Sequence, residues 1–203
     1  MRRKEFEIFD NVLIRDFIDS QAVGSLALYD KANRFPEVFP LNYVLDGDYI
    51  YMHTFSASAK IRIIKKDPNA VFSIYKEYSV IPSYFIGENE KSIDQFYKSI
   101  IIKGEIEIVK DKATKKNALL LLAKRFQPES ELTAENLFDD MVLGKTAILR
   151  MPLTEVSAKF RFGQQLSESQ KENVCTNLLK RGTPIDIETE TETKFLNFNS
   201  QKK

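Results

Sequence analysis

The chain has 203 residues, 43% of them hydrophobic and 29% charged, enough apolar material for one packed domain without disulfide or metal staples. Its 30 basic and 29 acidic residues leave a formal net charge of +1, so the basic excess of a general nucleic-acid binder is absent. One cysteine, Cys175, excludes an intramolecular disulfide, and one histidine excludes a His-rich cluster, so no metal site is expected.

The N-terminal MRRKEFEIFD begins basic, but acids follow and no apolar core of a signal peptide appears. No apolar run approaches the ~20 residues of a membrane span. A soluble, cytoplasmic protein is the expectation. Asp10-Asn11 can cap a helix whose apolar stripe is Leu13, Ile14, Phe17 and Ile18, ending near Ser20. Ala22 to Tyr29 reads as a strand, and Asp30 to Pro36 as a polar loop.

A hairpin is expected over about 37–54, centred on Asp46-Gly47, a dipeptide suited to a type I′ turn. That turn would pair Leu45 with Asp48, Val44 with Tyr49, Tyr43 with Ile50, Asn42 with Tyr51, Leu41 with Met52 and Pro40 with His53. Because strand side chains alternate, Leu41, Tyr43, Ile50 and Met52 then share an apolar face. Pro40, Asn42, Val44, Tyr51 and His53 share the other, which is uncharged and runs into Ser56-Ala57-Ser58-Ala59-Lys60.

A helix over about 57–66, capped by Ser56 and stopped by Asp67-Pro68, follows. Lys60 falls in its first turn, where a positive charge is disfavoured, and no acid occurs between Asp48 and Asp67 to offset it. A bound anion would account for both features.

Ala70 to Tyr78 is a strand, with Val80 to Ile86 extending or following it around Pro82. Glu88 to Asp94 reads as a charged loop, and Ser99 to Val109 as a long alternating strand that Gly104 would bend. Asp111 should cap a helix over about 112–126, with Ala118, Leu119, Leu122, Ala123 and Phe126 on one side. Thr133 can cap a short helix through Met141, and Lys145 to Met151 is the last convincing strand. Ser167-Glu168-Ser169-Gln170 is a capping box for a helix with Val174, Leu178 and Leu179 inward, closed by Gly182 and Pro184. From Ile187 the chain is polar and expected to fray. Phe160 and Phe162 suit either a ligand cover or the core, and Cys175 suits a buried, inert thiol.

Short antiparallel strands with flanking helices favour a mainly β fold, a small barrel rather than a doubly wound sheet. Neither GxGxxG nor GxxxxGK[ST] occurs. Residues 1–155 are expected to form the barrel, and 156–203 a helical extension with a polar tail.

Pro40 to Ile61, PLNYVLDGDYIYMHTFSASAKI, resembles the signature of the pyridoxamine 5′-phosphate oxidase-like split β-barrel flavoproteins. The nearest pattern is the nitroimidazole-reductase (Nim-type) branch, with its P-x-N-Y strand, Y-x-H strand and small-residue segment ending in lysine. Tyr97 to Gly104, Lys159 to Glu168 and Leu178 to Asp186 fit the same branch, so the resemblance spans most of residues 1–186. It implies a homodimer with FMN at the subunit interface, held by Pro40, Leu41, Asn42, Tyr43, His53, Thr54, Ser58, Lys60 and Ser99. Ser58 and Lys60 match the S-x-K segment whose lysine takes the FMN phosphate in the oxidases. The arginine between them in that branch is Ala59 here, and Ser99 stands where the oxidases place a glutamine. The oxidases' pyridoxal-phosphate contacts have no counterpart, so vitamin B6 oxidation is not expected.

The expected function is an FMN-dependent oxidoreductase acting on a small molecule over the exposed flavin face. The alternatives are a flavin-binding or redox-sensing protein without turnover, a deazaflavin binder, and a haem-binding split barrel. His53 is either a hydrogen-bonded structural residue or, in catalysis, a proton donor or haem ligand.

Overall fold

The computed structural model describes residues 3–87, 91–129, 131, 133 and 140–199. A 3₁₀ turn at Lys4–Phe6 leads into β1 (Glu7–Ile8), α1 (Asn11–Ser20), β2 (Val23–Leu28), β3 (Glu37–Asp46), β4 (Tyr49–Phe55) and α2 (Ala59–Ile64). Then come β5 (Asn69–Ile81), α3 (Ser83–Ile86), β6 (Asp94–Glu105), β7 (Glu107–Ile108), α4 (Lys112–Phe126), α5 (Asp140–Lys145), β8 (Thr146–Pro152) and β9 (Glu155–Arg161). The chain finishes with α6 (Glu168–Arg181), α7 (Pro184–Lys194) and a π-helical turn at Phe195–Asn199. Part of the charged loop expected over 88–94, and most of the helix expected from Thr133 to Met141, lie outside the described residues.

These elements form two compact units, and the chain enters each more than once. Arg15–Ile74 and Ile101–Val156 make a central unit; Met1–Ile14, Tyr75–Ile100 and Ser157–Lys203 make a terminal one.

In the central unit the strand neighbours run β5, β2, β3, β4, β8, β7, with antiparallel registers throughout. One face is apolar and buried, with Leu26, Tyr43, Ile50, Met52, Phe72 and Leu149 fully enclosed. The Tyr43 and Phe72 rings meet edge to face at 5.3 Å, and the Tyr43 hydroxyl donates to the Ile18 carbonyl at 2.5 Å. Gly24 lies beneath Phe72, where a Cβ would come within 2.3 Å of the ring.

The hairpin register differs from expectation. Asp46 pairs with Tyr49, Leu45 with Ile50, Val44 with Tyr51 and Tyr43 with Met52. The two-residue loop is therefore Gly47-Asp48, and Gly47 alone has a positive φ, of 55°. Glycine at the first loop position followed by a negative-φ residue is the pattern of a type II′ turn, not the type I′ turn centred one residue earlier. The slip moves each cross-strand partner by two residues, so the facing sets survive. α2 is also shorter than expected: its N-cap is Ser58, not Ser56.

β3 changes partner midway. Its first half, through Asn42, pairs with β2, and Tyr43 onward pairs with β4. α4 forms as expected, with Asp111 accepting from the Thr114 N–H at 2.7 Å. Its Ala118, Leu119 and Leu122 pack on Val44, Tyr51 and Ile148. Phe126 points outward.

The terminal unit has strand order β1, β9, β6, β5. β9 is a strand that the sequence reading stopped short of. Its alternation buries Ala158 and Phe160, continued by Phe162 just beyond its end, while Lys159 and Arg161 lay their cations over the Phe6 ring at 5.5 and 5.4 Å. Phe160 and Phe162 are core residues, Phe162 stacking edge-on to Tyr78 at 4.9 Å. α6 opens with the expected capping box and closes on left-handed Gly182; Val174 and Leu178 face inward, but Leu179 is exposed.

Through Asn199 the expected fraying is not found. Thr183 and Asp186 form a second capping box, and α7 buries Asp186, Thr189, Glu190 and Thr193. A polar helix face can be buried when its groups are paired: Glu190 pairs with Lys194 and the Thr193 hydroxyl donates to the Thr189 carbonyl at 2.7 Å within α7, and β5 partners Asp186 and Thr189. The Ser79 hydroxyl donates to Asp186 at 2.6 Å, and the Ser79 N–H donates to the Thr189 hydroxyl at 3.1 Å. Lys76 pairs with Glu188, and Lys98 of β6 with Glu192 at 2.6 Å.

Cys175 is buried in this unit, and desolvation, with Glu190 next in weight, pushes its thiol up to about 11. A thiol so placed is almost wholly protonated at neutral pH. Ellman's reagent is expected to label Cys175 only after denaturation; stoichiometric labelling of the folded protein would contradict this.

Candidate functional site

The face of the central sheet opposite its core divides into two parts. At the hairpin end α4 covers Val44 and Tyr51, so Tyr51 does not join Asn42 and His53 in an open surface, as the sequence reading had it. Beyond that cover the face is open. Pro40 stands opposite Ser25, and Asn42 opposite Val23; His53 and Phe55 follow Tyr51 on β4 with the same facing. Pro40, Asn42 and His53 are exposed, as are Val23 and Phe55, the latter at 59%. The Asn42 amide donates to the Ala22 carbonyl at 3.2 Å, which fixes its orientation. The surface is nearly uncharged and provided with a few hydrogen-bonding groups.

The same face continues along β2 and β5, where Ala27 stands opposite both Val38 and Val71. There it meets a groove of about 630 Å³ walled by Tyr29 and Pro36, with Lys103, Gly104 and Glu105 of β6 across from them. Gly104 lies within β6 without a positive φ and lines this groove. The volume is in the range of small-molecule sites.

At the far end of β4 the chain turns tightly into α2. The Ser56 N–H donates to the Lys145 carbonyl at 2.8 Å, and the Ser58 N–H to the Phe55 carbonyl at 3.0 Å. The buried Thr54 hydroxyl reaches the Ser58 hydroxyl at 3.3 Å. Ser58 occupies the N-cap position but makes no side-chain capping bond, so the first-turn N–H groups of α2 gain no partner from it. Lys60 is the second residue of α2, and among the described residues no carboxylate pairs with it. Its ammonium instead lies over the Phe39 ring, 4.4 Å from the centroid.

Pro40, Leu41, Asn42, Tyr43, His53, Thr54, Ser58 and Lys60 thus belong to one unit, along β3, β4 and the start of α2. Leu41, Tyr43 and Thr54 alternate to the face opposite Pro40, Asn42 and His53, and the Tyr43 side chain is wholly in the core, which leaves only its backbone for a ligand. Ser99 is half-buried on β6, in the terminal unit. Phe39 was not singled out by the sequence. Its contact with Lys60 joins residues on different elements, and no spacing rule reports such a pair.

The Ser58 hydroxyl and the Lys60 ammonium form a donor pair suited to a phosphate; they lie by Thr54 and Phe39, which alternate to the face of the sheet opposite Pro40, Asn42 and His53. No helix among the described residues is long and apolar enough to cross a membrane.

The family model described as pyridoxamine 5′-phosphate oxidase matches residues 10–160. No curated protein is similar enough in sequence to be matched to the chain. Among solved structures, a FAD and haem binding protein from Mycobacterium smegmatis aligns with a TM-score of 0.65 at 21% identity, covering 84% of this chain and 79% of that one. The flavocytochrome Anf3 from Azotobacter vinelandii aligns at 0.64 and 16% identity, over 78% and 70% of the two chains. A protein named for 5-nitroimidazole antibiotic resistance, from Bacteroides thetaiotaomicron, aligns at 0.63 and 17% identity, over 75% and 85%. At these identities the likenesses show the fold: the antiparallel split barrel with flanking helices expected from the sequence.

Proposed function

We propose, because the chain belongs to the pyridoxamine 5′-phosphate oxidase family, that the open face of its central unit binds a flavin and that the protein is an oxidoreductase. The observation that carries this reading is the anion-suited donor pair of Ser58 and Lys60 at the turn that ends β4, the strand that carries His53 and Thr54. Bound there, a flavin would supply redox chemistry toward a small electron acceptor or an oxidisable amine. The protein's part is to hold and expose it. Ser58 and Lys60 take the phosphate, Asn42 and His53 contact the ring system with Pro40 beside them, and Leu41, Tyr43 and Thr54, whose side chains alternate to the other face, offer their backbone. The groove beside Tyr29 and Pro36 gives room for a substrate.

The solved neighbours are named for FAD and haem as well as for nitroimidazole resistance. FMN is the flavin we propose, since the donor set fits a terminal phosphate. The exposed apolar residues Val23, Val38 and Phe55 favour a second copy of the chain as the partner, giving a homodimer. His53 is exposed and could donate a proton to a reduced substrate; FMN binding does not require it to.

The test is to denature purified protein, filter it, and identify any released chromophore, then offer FMN, FAD and haem to the stripped protein. Released or rebound FMN, with its absorption near the visible, supports the reading. A Soret band on haem addition without flavin uptake would replace it with haem binding. Replacing Lys60 with alanine should weaken FMN binding by roughly 1.5–3 kcal/mol, the scale of a hydrogen bond to a charged group. An unchanged affinity would remove Lys60 from the site.

A further inference from the structure

Lys60 is placed where its charge is disfavoured. It is the second residue of α2, the positive end of the helix dipole, and no described carboxylate offsets it. A lysine so placed would be expected to swing toward bulk water. Here it does not: the side chain is half-buried, and its ammonium sits over Phe39 at 4.4 Å from the ring centroid. Phe39 is held in turn by β3, where it pairs with Leu26 of β2, and Leu26 is fully buried. The ring therefore sits on a rigid strand rather than on a loop.

The two ways of holding a lysine differ in what they leave for a ligand. A carboxylate neutralises the charge and occupies N–H donors, and an incoming phosphate would have to displace it. A ring face attracts the cation through its quadrupole and accepts no conventional hydrogen bond. It fixes the position of the charge while leaving its donors for an anion. Ordering the long side chain in advance also removes part of the entropy that binding would otherwise cost.

We infer that Phe39 is a positioning residue for the phosphate group of the flavin, holding Lys60 over its ring so that the ammonium meets the phosphate without displacing a counter-ion. The inference rests on the proposed role of Lys60 as a phosphate ligand, and goes beyond it by assigning the residue that sets its orientation.

The test compares FMN with riboflavin, which has the same ring system but no phosphate. The quantity read is the ratio of their dissociation constants, measured by flavin fluorescence in the stripped protein. In the unmodified protein FMN should bind more tightly, and Lys60→Ala should bring the ratio close to one. Phe39→Leu should lower the FMN preference by about two- to fivefold, the size of an exposed cation–π contact, with riboflavin affinity unchanged. Phe39→Tyr, which keeps the ring, should retain the preference. In the Lys60→Ala background, Phe39→Leu should leave the ratio where it was. Should Phe39→Leu not fold, Phe39→Met takes its place in the same comparison.

Equal losses of FMN and riboflavin affinity in Phe39→Leu would assign Phe39 to packing and overturn the inference. So would an equal change in the ratio with and without Lys60. A protein that binds FMN and riboflavin alike, with or without Lys60, would overturn the phosphate role of Lys60 itself, a different result.

Discussion

Replacing Asp186 with alanine is expected to destabilise the protein by about 3 kcal/mol, read as a lowered urea midpoint. The side chain is fully buried. One oxygen accepts from the Ser79 hydroxyl, the other from the Thr183 hydroxyl, each at 2.6 Å, and the Arg181 guanidinium donates to the carboxylate, with Nε at 2.8 Å. Alanine would leave these donors facing a space without an acceptor, and the cost of such orphaned groups exceeds the net worth of the bonds themselves. Removing one partner of a buried ion pair costs about 3–5 kcal/mol. Arg181 is partly solvent-accessible and can recover some hydration, which places the estimate at the lower end. By contrast, removing the exposed Glu188 carboxylate that pairs with Lys76 should cost under about 1 kcal/mol. Equal effects of the two substitutions would mean that the buried network is not what holds α7.

The same carboxylate gives a pH dependence. The Arg181 guanidinium, then the hydroxyls of Ser79 and Thr183, hold Asp186 far below the ordinary carboxylate range, against the opposing pull of desolvation. In the unfolded chain it returns to about 3.9. Its contribution is therefore complete above that value and is lost as pH falls below it toward the depressed folded-state value. Stability near pH 3 should fall less steeply in Asp186→Ala than in the unmodified protein.

Replacing Gly24 with alanine is the second large effect. The new methyl would stand 2.3 Å from two atoms of the Phe72 ring and 3.1 Å from the Ser73 carbonyl oxygen. Phe72 is fully buried and packed edge-on to Tyr43, so neither ring can turn away without disturbing the other. Overpacking of this kind costs about 1–3 kcal/mol, and the severity of the overlap places Gly24→Ala toward the upper end. Gly144 in α5 is the matched control. A Cβ there meets nothing within 4 Å, and alanine in a helix is favoured by up to about 1 kcal/mol. A neutral Gly24→Ala would mean that Phe72 has room the packing does not show.

Much of this was legible in the chain. α4 begins and ends at the expected residues because Asp111 and Pro128 mark its limits and its apolar stripe is regular. The hairpin faces were legible even though the turn was centred one residue early. A turn shifted by one changes cross-strand partners by two, which preserves the alternation that decides what is buried. β9 escaped because Lys159 and Arg161 look like solvent-facing charges, whereas their cations cover Phe6. α7 escaped for a related reason. Its Asp, Thr and Glu residues carry no apolar periodicity, and their burial depends on partners that pattern does not show, on β5 for Asp186 and Thr189 and within α7 for Glu190 and Thr193.

Within the candidate site, Lys60 was visible as a charge out of keeping with its local surroundings, and Asn42 and Ser58 through the resemblance. That Tyr51 lies under α4, and that Lys60 lies over Phe39, depends on contacts distant in sequence. No local pattern carries them.

The most direct measurement is a titration of the cofactor-stripped protein with FMN, followed by flavin fluorescence, beside the same titration of Lys60→Ala. The account predicts saturable, stoichiometric binding that the substitution weakens by about tenfold or more. A stripped but folded protein that takes up no FMN would contradict it.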